Sequence, residues 1–103
     1  MIEESLLINI ELGDKTAIAY CLEDFAGLAA GEGQPERALI LAGAAAALRT
    51  EIDGPLPAGE QDALDRTLAP ARRTLDQAGQ DTAWQTGHGM GWDAALAYAF
   101  ERL

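Results

Sequence analysis

The chain has 103 residues, which is enough for one domain with a modest hydrophobic core. Its 17 acidic and 7 basic residues give a formal net charge of −10, and such a surface should repel nucleic-acid phosphates and anionic lipids. We therefore predict that the chain contacts neither nucleic acid nor a membrane directly. Apolar residues make up 49% of the chain, mostly Ala and Leu, and aromatic residues only 6%, which favours closely packed helices over strands.

Cysteine usage and the first residues bear on the cellular compartment. Cys21 is the only cysteine, so no intramolecular disulfide can form. The first residues, M-I-E-E-S-L-L-I-N-I-E-L, carry acids where a signal peptide needs bases, and they lack a long apolar core. We therefore expect a soluble cytoplasmic protein.

Residues 2–12 are predicted to form a short helix that Gly13 ends, with Asp14 as the N-cap of the next helix. One side of this first helix is apolar and consists of Ile2, Leu6, Leu7 and Ile10. A preceding element should cover this edge. Without one, the isolated chain should self-associate through it as a homodimer.

The next helix is predicted over residues 15–30. Its apolar stripe has the spacing of helical turns and consists of Ile18, Leu22, Phe25 and Ala29, flanked by Cys21 and Leu28. Glu23 and Asp24 are expected on the solvent side. Gly31 and Gly33 should break the helix, and the short loop predicts an antiparallel pairing with the helix that follows.

A central helix is predicted between Gly33 and Pro55. From Ala38 to Leu48 no side chain is polar, and a helix that is apolar on nearly every side is buried on nearly every side. Pro35 suits the first helical turn, and Asp53-Gly54-Pro55 is a stop signal. We expect this helix to be the core of a small all-α domain.

After a linker at 55–59, a helix is predicted from about Ala58 to Gln77. Its apolar face consists of Leu64, Leu68, Ala71 and Leu75. Pro70 removes the hydrogen bond to the carbonyl of Arg66, so a kink or a break is expected there. Gly79 is expected to close the helix.

The C-terminal part is predicted as two further helical pieces. A short one, from about Asp81 to Thr86, carries Trp84, and the following G-H-G-M-G at 87–91 is too glycine-rich to be helical. The last helix begins at Trp92. One face of it consists of Trp92, Ala95, Leu96, Ala99, Phe100 and Leu103.

The segment from Ala19 to Ile52 fits the tetratricopeptide pattern, a helix–turn–helix unit of about 34 residues. Small residues fill the positions where helices pack closely, although Ala29 and Ala42 replace the usual aromatics. We predict an all-α fold, a tetratricopeptide-like (TPR-like) array of about five to six helices forming a fragment of a right-handed α-α superhelix. Its parts are a half repeat (1–13), a central helical hairpin (14–54) and C-terminal helices (55–103).

Two motifs, G-Q-P-E-R-A at 33–38 and A-W-Q-T-G at 83–87, carry a family resemblance that extends over almost the whole chain. The chain resembles the C-terminal TPR-like helical tail of large bacterial transcriptional regulators with NTPase and helix-turn-helix domains. The resemblance implies a scaffold, partner-binding or effector-sensing role and no catalytic residue. Motifs for ATP hydrolysis and DNA binding are not in this sequence. Pro70 and Gly91 depart from the pattern of the family.

Candidate chemical sites are few. His88 and Met90 are too few for a metal site, and the glycines around them match no phosphate-binding motif. Cys21 could be drawn with His88 as nucleophile and base, but its place beside the apolar stripe favours core packing. We therefore predict no catalytic residue, no cofactor and no metal, and a protein that is not an enzyme.

The function predicted is therefore protein interaction. In tetratricopeptide arrays the groove lies along the first helices, here the face that bears Tyr20, Glu23, Asp24 and Gly27. An acidic groove suits a basic peptide or a cationic small ligand. The partner would be another protein or preceding repeats. The alternative is a purely structural solenoid cap, or a free-standing small homodimer.

Overall fold

The structure is a computed structural model and describes residues 15–100. Over this range it is all-helical, as predicted, with five helices: α1 (Lys15–Gly31), α2 (Pro35–Glu51), α3 (Ala58–Thr74), α4 (Gln77–Met90) and α5 (Trp92–Phe100). None of these five helices is long and apolar enough to cross a membrane. The predicted helix at 2–12, with the edge formed by Ile2, Leu6, Leu7 and Ile10, lies outside the described residues, as does Leu103.

Helices α1 and α2 form an antiparallel hairpin. Lys15 at the start of α1 pairs with Glu51 at the end of α2, with 3.0 Å between Nζ and Oε2. The turn between the helices is a Schellman motif, in which the Gln34 amide donates to the Ala29 carbonyl at 2.9 Å. Gly33 takes the left-handed conformation that this motif needs, with φ +74°. The predicted break between the two helices is confirmed.

Helix α2 is the centre of the domain, as predicted, and it packs against all four other helices. Its buried apolar residues are Ala38, Leu39, Leu41, Ala42, Gly43, Ala44, Ala45 and Leu48. A second Schellman motif ends the helix, because the Gly54 amide donates to the Arg49 carbonyl at 2.9 Å. Here the left-handed residue is Asp53, with φ 51°, and glycine occupies only the next position.

Helix α3 differs from its prediction. It runs through Pro70 without a break and ends at Thr74 instead of Gln77. Arg66 and Pro70 are both exposed, so water can solvate the Arg66 carbonyl that loses its partner. The predicted break is therefore wrong, whereas a kink stays a prediction.

The predicted role of Gly79 is also wrong. The Asp76 side chain accepts a hydrogen bond from the Gly79 amide at 2.7 Å and caps the start of α4. Gly79 therefore lies in the first turn of α4 and does not close α3. The Asp76 carboxylate cap sets the start of α4. The sequence prediction did not include this cap.

The glycine-rich segment 87–90 is helical, which corrects the prediction that it is not. Helix α4 extends to Met90 because glycine lets it pack backbone to backbone against α2. A Cβ atom built on Gly87 would lie 2.6 Å from the carbonyl carbon of Ile40, and one on Gly43 would lie 3.2 Å from the carbonyl carbon of Trp84. Any side chain at either position would separate the two helices.

Helices α3 and α4 diverge although only Leu75 and Asp76 connect them. Helix α3 packs on α1 and α2, whereas α4 packs mainly on α2, and α3 and α4 scarcely touch each other. Their divergence leaves a gap that Arg72 and Trp84 border. A regular helical hairpin would have filled this space.

Helix α5 packs across α1 and α2. The rings of Phe25 and Phe100 meet edge to face, with centroids 6.1 Å apart. Arg37 Nη2 donates to the carbonyls of Tyr98 and Ala99 at 2.7 and 3.0 Å, which places a cation at the helix C-terminus. The predicted inner face is buried or partly buried at each of its described positions, namely Trp92, Ala95, Leu96, Ala99 and Phe100.

Candidate functional site

The four residues predicted for a binding groove line one cleft between α1 and α3. Its volume is about 300 Å³, and we call it the acidic cleft. The lining residues are Tyr20, Glu23, Asp24 and Gly27 from α1, Leu56 from the linker, and Glu60, Ala63, Leu64 and Thr67 from α3. The α1 residues share a wall because they recur at the spacing of helical turns.

Gly27 lines the acidic cleft where α1 and α3 meet. A Cβ atom at this position would lie 3.4 Å from Cγ2 of Thr67, so α1 and α3 approach each other closely here. The apolar side chains of Leu56 and Leu64 are half-buried. The cleft therefore combines apolar walls with carboxylates, which are the components of a site for an amphipathic cationic group.

Glu23 is buried and not on the solvent side, which corrects the sequence prediction. Its carboxylate accepts hydrogen bonds from Nε and Nη2 of Arg49 at 2.6 and 2.9 Å. Arg49 also donates to the Gly54 carbonyl at 2.9 Å. The hydrogen bond to Glu23 raises the pKa of Arg49. Most of the charge of Glu23 is thus neutralised within the fold.

Tyr20 connects this ion pair to α3. The centroid of its ring lies 4.5 Å from the guanidinium carbon of Arg49, which is a cation–π contact. Its hydroxyl donates to Oε2 of Glu60 at 3.0 Å. The side chains of Glu23, Arg49, Tyr20 and Glu60 therefore form one continuous network along the cleft, which fixes the position of the Tyr20 ring.

Asp24 supplies a carboxylate with no basic partner among residues 15–100. It is exposed at the surface, yet the protein around it removes part of its hydration, and this burial raises the pKa of its carboxyl. The acidic cleft contains three carboxylates, those of Glu23, Asp24 and Glu60. The guanidinium of Arg49 pairs with the carboxylate of Glu23. The negative charge open to a ligand comes from Asp24 and Glu60.

Sequence reasoning missed Glu60 and Arg49. Arg49 carried a usable signal, since a guanidinium at the end of a buried helix needs an acidic partner. Glu60 gave no such signal, because it is an exposed acid in the first turn of a helix. Only the packing of α3 on α1 brings it into the same cleft as Asp24.

The other candidate residues do not form a reactive group. Cys21 is buried in α1 and His88 is exposed on α4, two helices that make no substantial contact with each other. In the described range 15–100, no three His, Cys, Asp or Glu side chains are grouped so that they could hold a metal ion. The Cys21–His88 pairing is therefore not assembled by the fold.

The chain matches no protein-family model, no curated protein and no solved structure.

Proposed function

We propose that this chain is a non-catalytic interaction module that binds a basic segment of a partner protein in the acidic cleft. The observation that supports this is the pair of carboxylates, Asp24 and Glu60, facing one cleft from two different helices. Tyr20 and Leu64 add apolar surface to the same cleft. A Lys or Arg side chain can lay its methylene groups on such a surface and direct its charge to the carboxylates.

The network around Tyr20 supports binding in the acidic cleft. Glu23 is held by Arg49, and Glu60 accepts a hydrogen bond from Tyr20, so these carboxylates maintain the shape of the cleft. A positioned side chain costs little entropy when a ligand binds. The cleft is therefore preorganised for a cationic group.

For the fold, we propose that residues 14–54 form a TPR-like hairpin, as in the C-terminal tail of a bacterial transcriptional regulator. The antiparallel α1–α2 pair and the buried small residues Ala38, Ala42 and Ala45 support this assignment. The divergence of α3 from α4 departs from a regular repeat.

Charge reversal in the cleft tests the binding proposal. The probe is a short peptide of alternating Lys and Ala, titrated into the ¹⁵N-labelled protein and followed by NMR. We expect shifts at residues of the acidic cleft and a Kd that rises at least about tenfold in the variant Asp24→Lys/Glu60→Lys. The matched control is Asp62→Lys/Asp65→Lys, which changes the net charge equally at exposed positions outside the cleft lining.

Equal loss of affinity in the control variant would show that the peptide responds only to net charge, and the proposal would fail. Absence of any binding would favour the alternative of a structural cap or a free-standing small homodimer. A peptide in which Glu replaces Lys should not bind, because the cleft would repel it.

A further inference from the structure

A second cleft lies in the gap between the diverging helices α3 and α4. Its volume is about 280 Å³, and its lining residues are Leu39, Arg72, Gln77, Gln80, Asp81 and Trp84. We call it the α3–α4 pocket. It shares no residue with the acidic cleft. Pockets for drug-sized ligands span roughly 300–1,000 Å³, so this volume suits a smaller molecule.

Two opposite charges border the α3–α4 pocket without pairing. Arg72 at the end of α3 and Asp81 in α4 both line it, yet within residues 15–100 neither takes part in an ion pair. The side-chain amide of Gln77 donates from Nε2 to Asp81 Oδ1 at 2.9 Å and thereby orients this carboxylate. The space between the two charges is therefore suited to a ligand that carries both signs.

Two of the other four lining residues are polar, Gln77 and Gln80, and two are apolar or aromatic, Leu39 and Trp84. Leu39 at its base is 2% exposed, and the indole of Trp84 is half-buried. The Arg72 guanidinium carbon lies 5.8 Å from the centroid of the Trp84 ring, near the outer limit of a cation–π contact. Arg72 is thus loosely held and can turn toward an anion without losing a hydrogen bond.

We infer that the α3–α4 pocket binds a free α-amino acid with an apolar side chain. Arg72 pairs with the α-carboxylate, and Asp81 accepts hydrogen bonds from the α-ammonium group. The side chain of the ligand packs against the half-buried indole of Trp84. Guanidinium–carboxylate pairing can be bidentate, which fixes the orientation of the ligand. This inference is independent of the acidic cleft and of the function proposed for it.

L-Leucine is the probe for the test, with the assigned indole N–H signal of Trp84 in ¹⁵N NMR spectra as the readout. We expect a saturable shift of this signal. N-acetyl-L-leucine lacks the ammonium group and L-leucinamide lacks the carboxylate, so each should bind at least about tenfold more weakly, since a hydrogen bond to a charged group is worth about 1.5–3 kcal/mol.

Variants of neighbouring arginines give the matched control. Arg72→Ala should weaken leucine binding at least about tenfold, whereas Arg73→Ala should leave it unchanged, because Arg73 does not line the pocket. Asp81→Asn should weaken the binding of leucine and leave the binding of N-acetyl-L-leucine unaltered. Circular dichroism of each variant reports whether the fold is kept.

Three results would overturn the inference: no saturable shift with leucine, equal losses in the two arginine variants, or leucinamide binding as tightly as leucine. The last would identify a site for a peptide N-terminus instead. The cleft variant Asp24→Lys/Glu60→Lys should bind leucine normally, so failure of one proposal is distinguishable from failure of the other.

Discussion

Glu23 and Arg49 form a bidentate ion pair inside the α1–α2 hairpin, with hydrogen bonds of 2.6 and 2.9 Å. Both side chains are 8% exposed. The exposed pair between Lys15 and Glu51 joins the same two helices at 3.0 Å. The hairpin thus contains one buried and one exposed ion pair, and we expect the two to contribute differently to stability.

Removing one partner of the buried pair should be costly. Glu23→Ala leaves the Arg49 guanidinium buried and uncompensated, and we expect the free energy of unfolding to fall by about 3 kcal/mol. Glu51→Ala, the control, should change it by less than about 1 kcal/mol, since exposed pairs contribute little. Urea denaturation measures both. Similar values for the two variants would contradict the burial argument.

Both charged residues of the Glu23–Arg49 pair can also be replaced together by apolar residues. In Glu23→Leu/Arg49→Met both charges are absent, so neither is left unpaired in the interior. We expect this double variant to be more stable than Glu23→Ala. A double variant less stable than the single one would mean that the hydrogen bond from Arg49 to Gly54 and the contact with Tyr20 dominate.

Two glycines in one segment should respond oppositely to alanine. Gly87→Ala places a methyl group against the backbone of Ile40, and we expect a loss of about 3 kcal/mol or more from overpacking. Gly89→Ala meets nothing within 4 Å and should stabilise the helix by up to about 1 kcal/mol. Thermal unfolding of both variants checks the sign. A tolerated Gly87→Ala would refute the close α2–α4 contact.

Replacing the left-handed residue at the end of α2 should increase the stability of the fold. Asp53 has φ 51°, a conformation in which glycine avoids the steric cost of a side chain. We expect Asp53→Gly to raise the free energy of unfolding by about 0.5–1 kcal/mol. The control Asp62→Gly, at an exposed position in α3, should lower it slightly. Urea denaturation distinguishes the two, and a loss at both sites would count against the left-handed cap.

Asp24 should make stability depend on pH in a defined direction. Burial raises the pKa of Asp24 above its ordinary value of 3.8, so the folded state binds this proton more tightly than the unfolded state. Its contribution to stability is then full below pH 3.8 and is lost as the pH rises through the folded-state pKa. Asp24→Asn should therefore gain stability relative to the parent chain as the pH rises.

Denaturation at pH 3, below the ordinary pKa of 3.8, and at neutral pH measures this difference in stability. Asp62→Asn serves as the control because Asp62 is exposed outside the acidic cleft. NMR titration of the Asp24 carboxyl gives the pKa directly. A basic peptide bound in the cleft should lower that pKa, because it favours the charged form.

The sequence by itself determined the helical class and the central place of α2. The apolar run from Ala38 to Leu48 has no hydrated face, so burial follows from composition alone. The ends of α1 and α2 follow from Gly33 and from Asp53-Gly54, since these turns are local. The shared face of Tyr20, Asp24 and Gly27 follows from helical spacing.

Tertiary structure decided the remaining features, because they depend on residues far apart in the chain. The segment 87–90 has poor helix propensity and is nevertheless helical, with Gly87 packed against the backbone of Ile40. Glu23 has the polarity of a surface residue and becomes an interior one only because Arg49, 26 residues away, neutralises it. Burial of a charge is a property of the pair and not of either residue, so a pattern of single residues could not predict it.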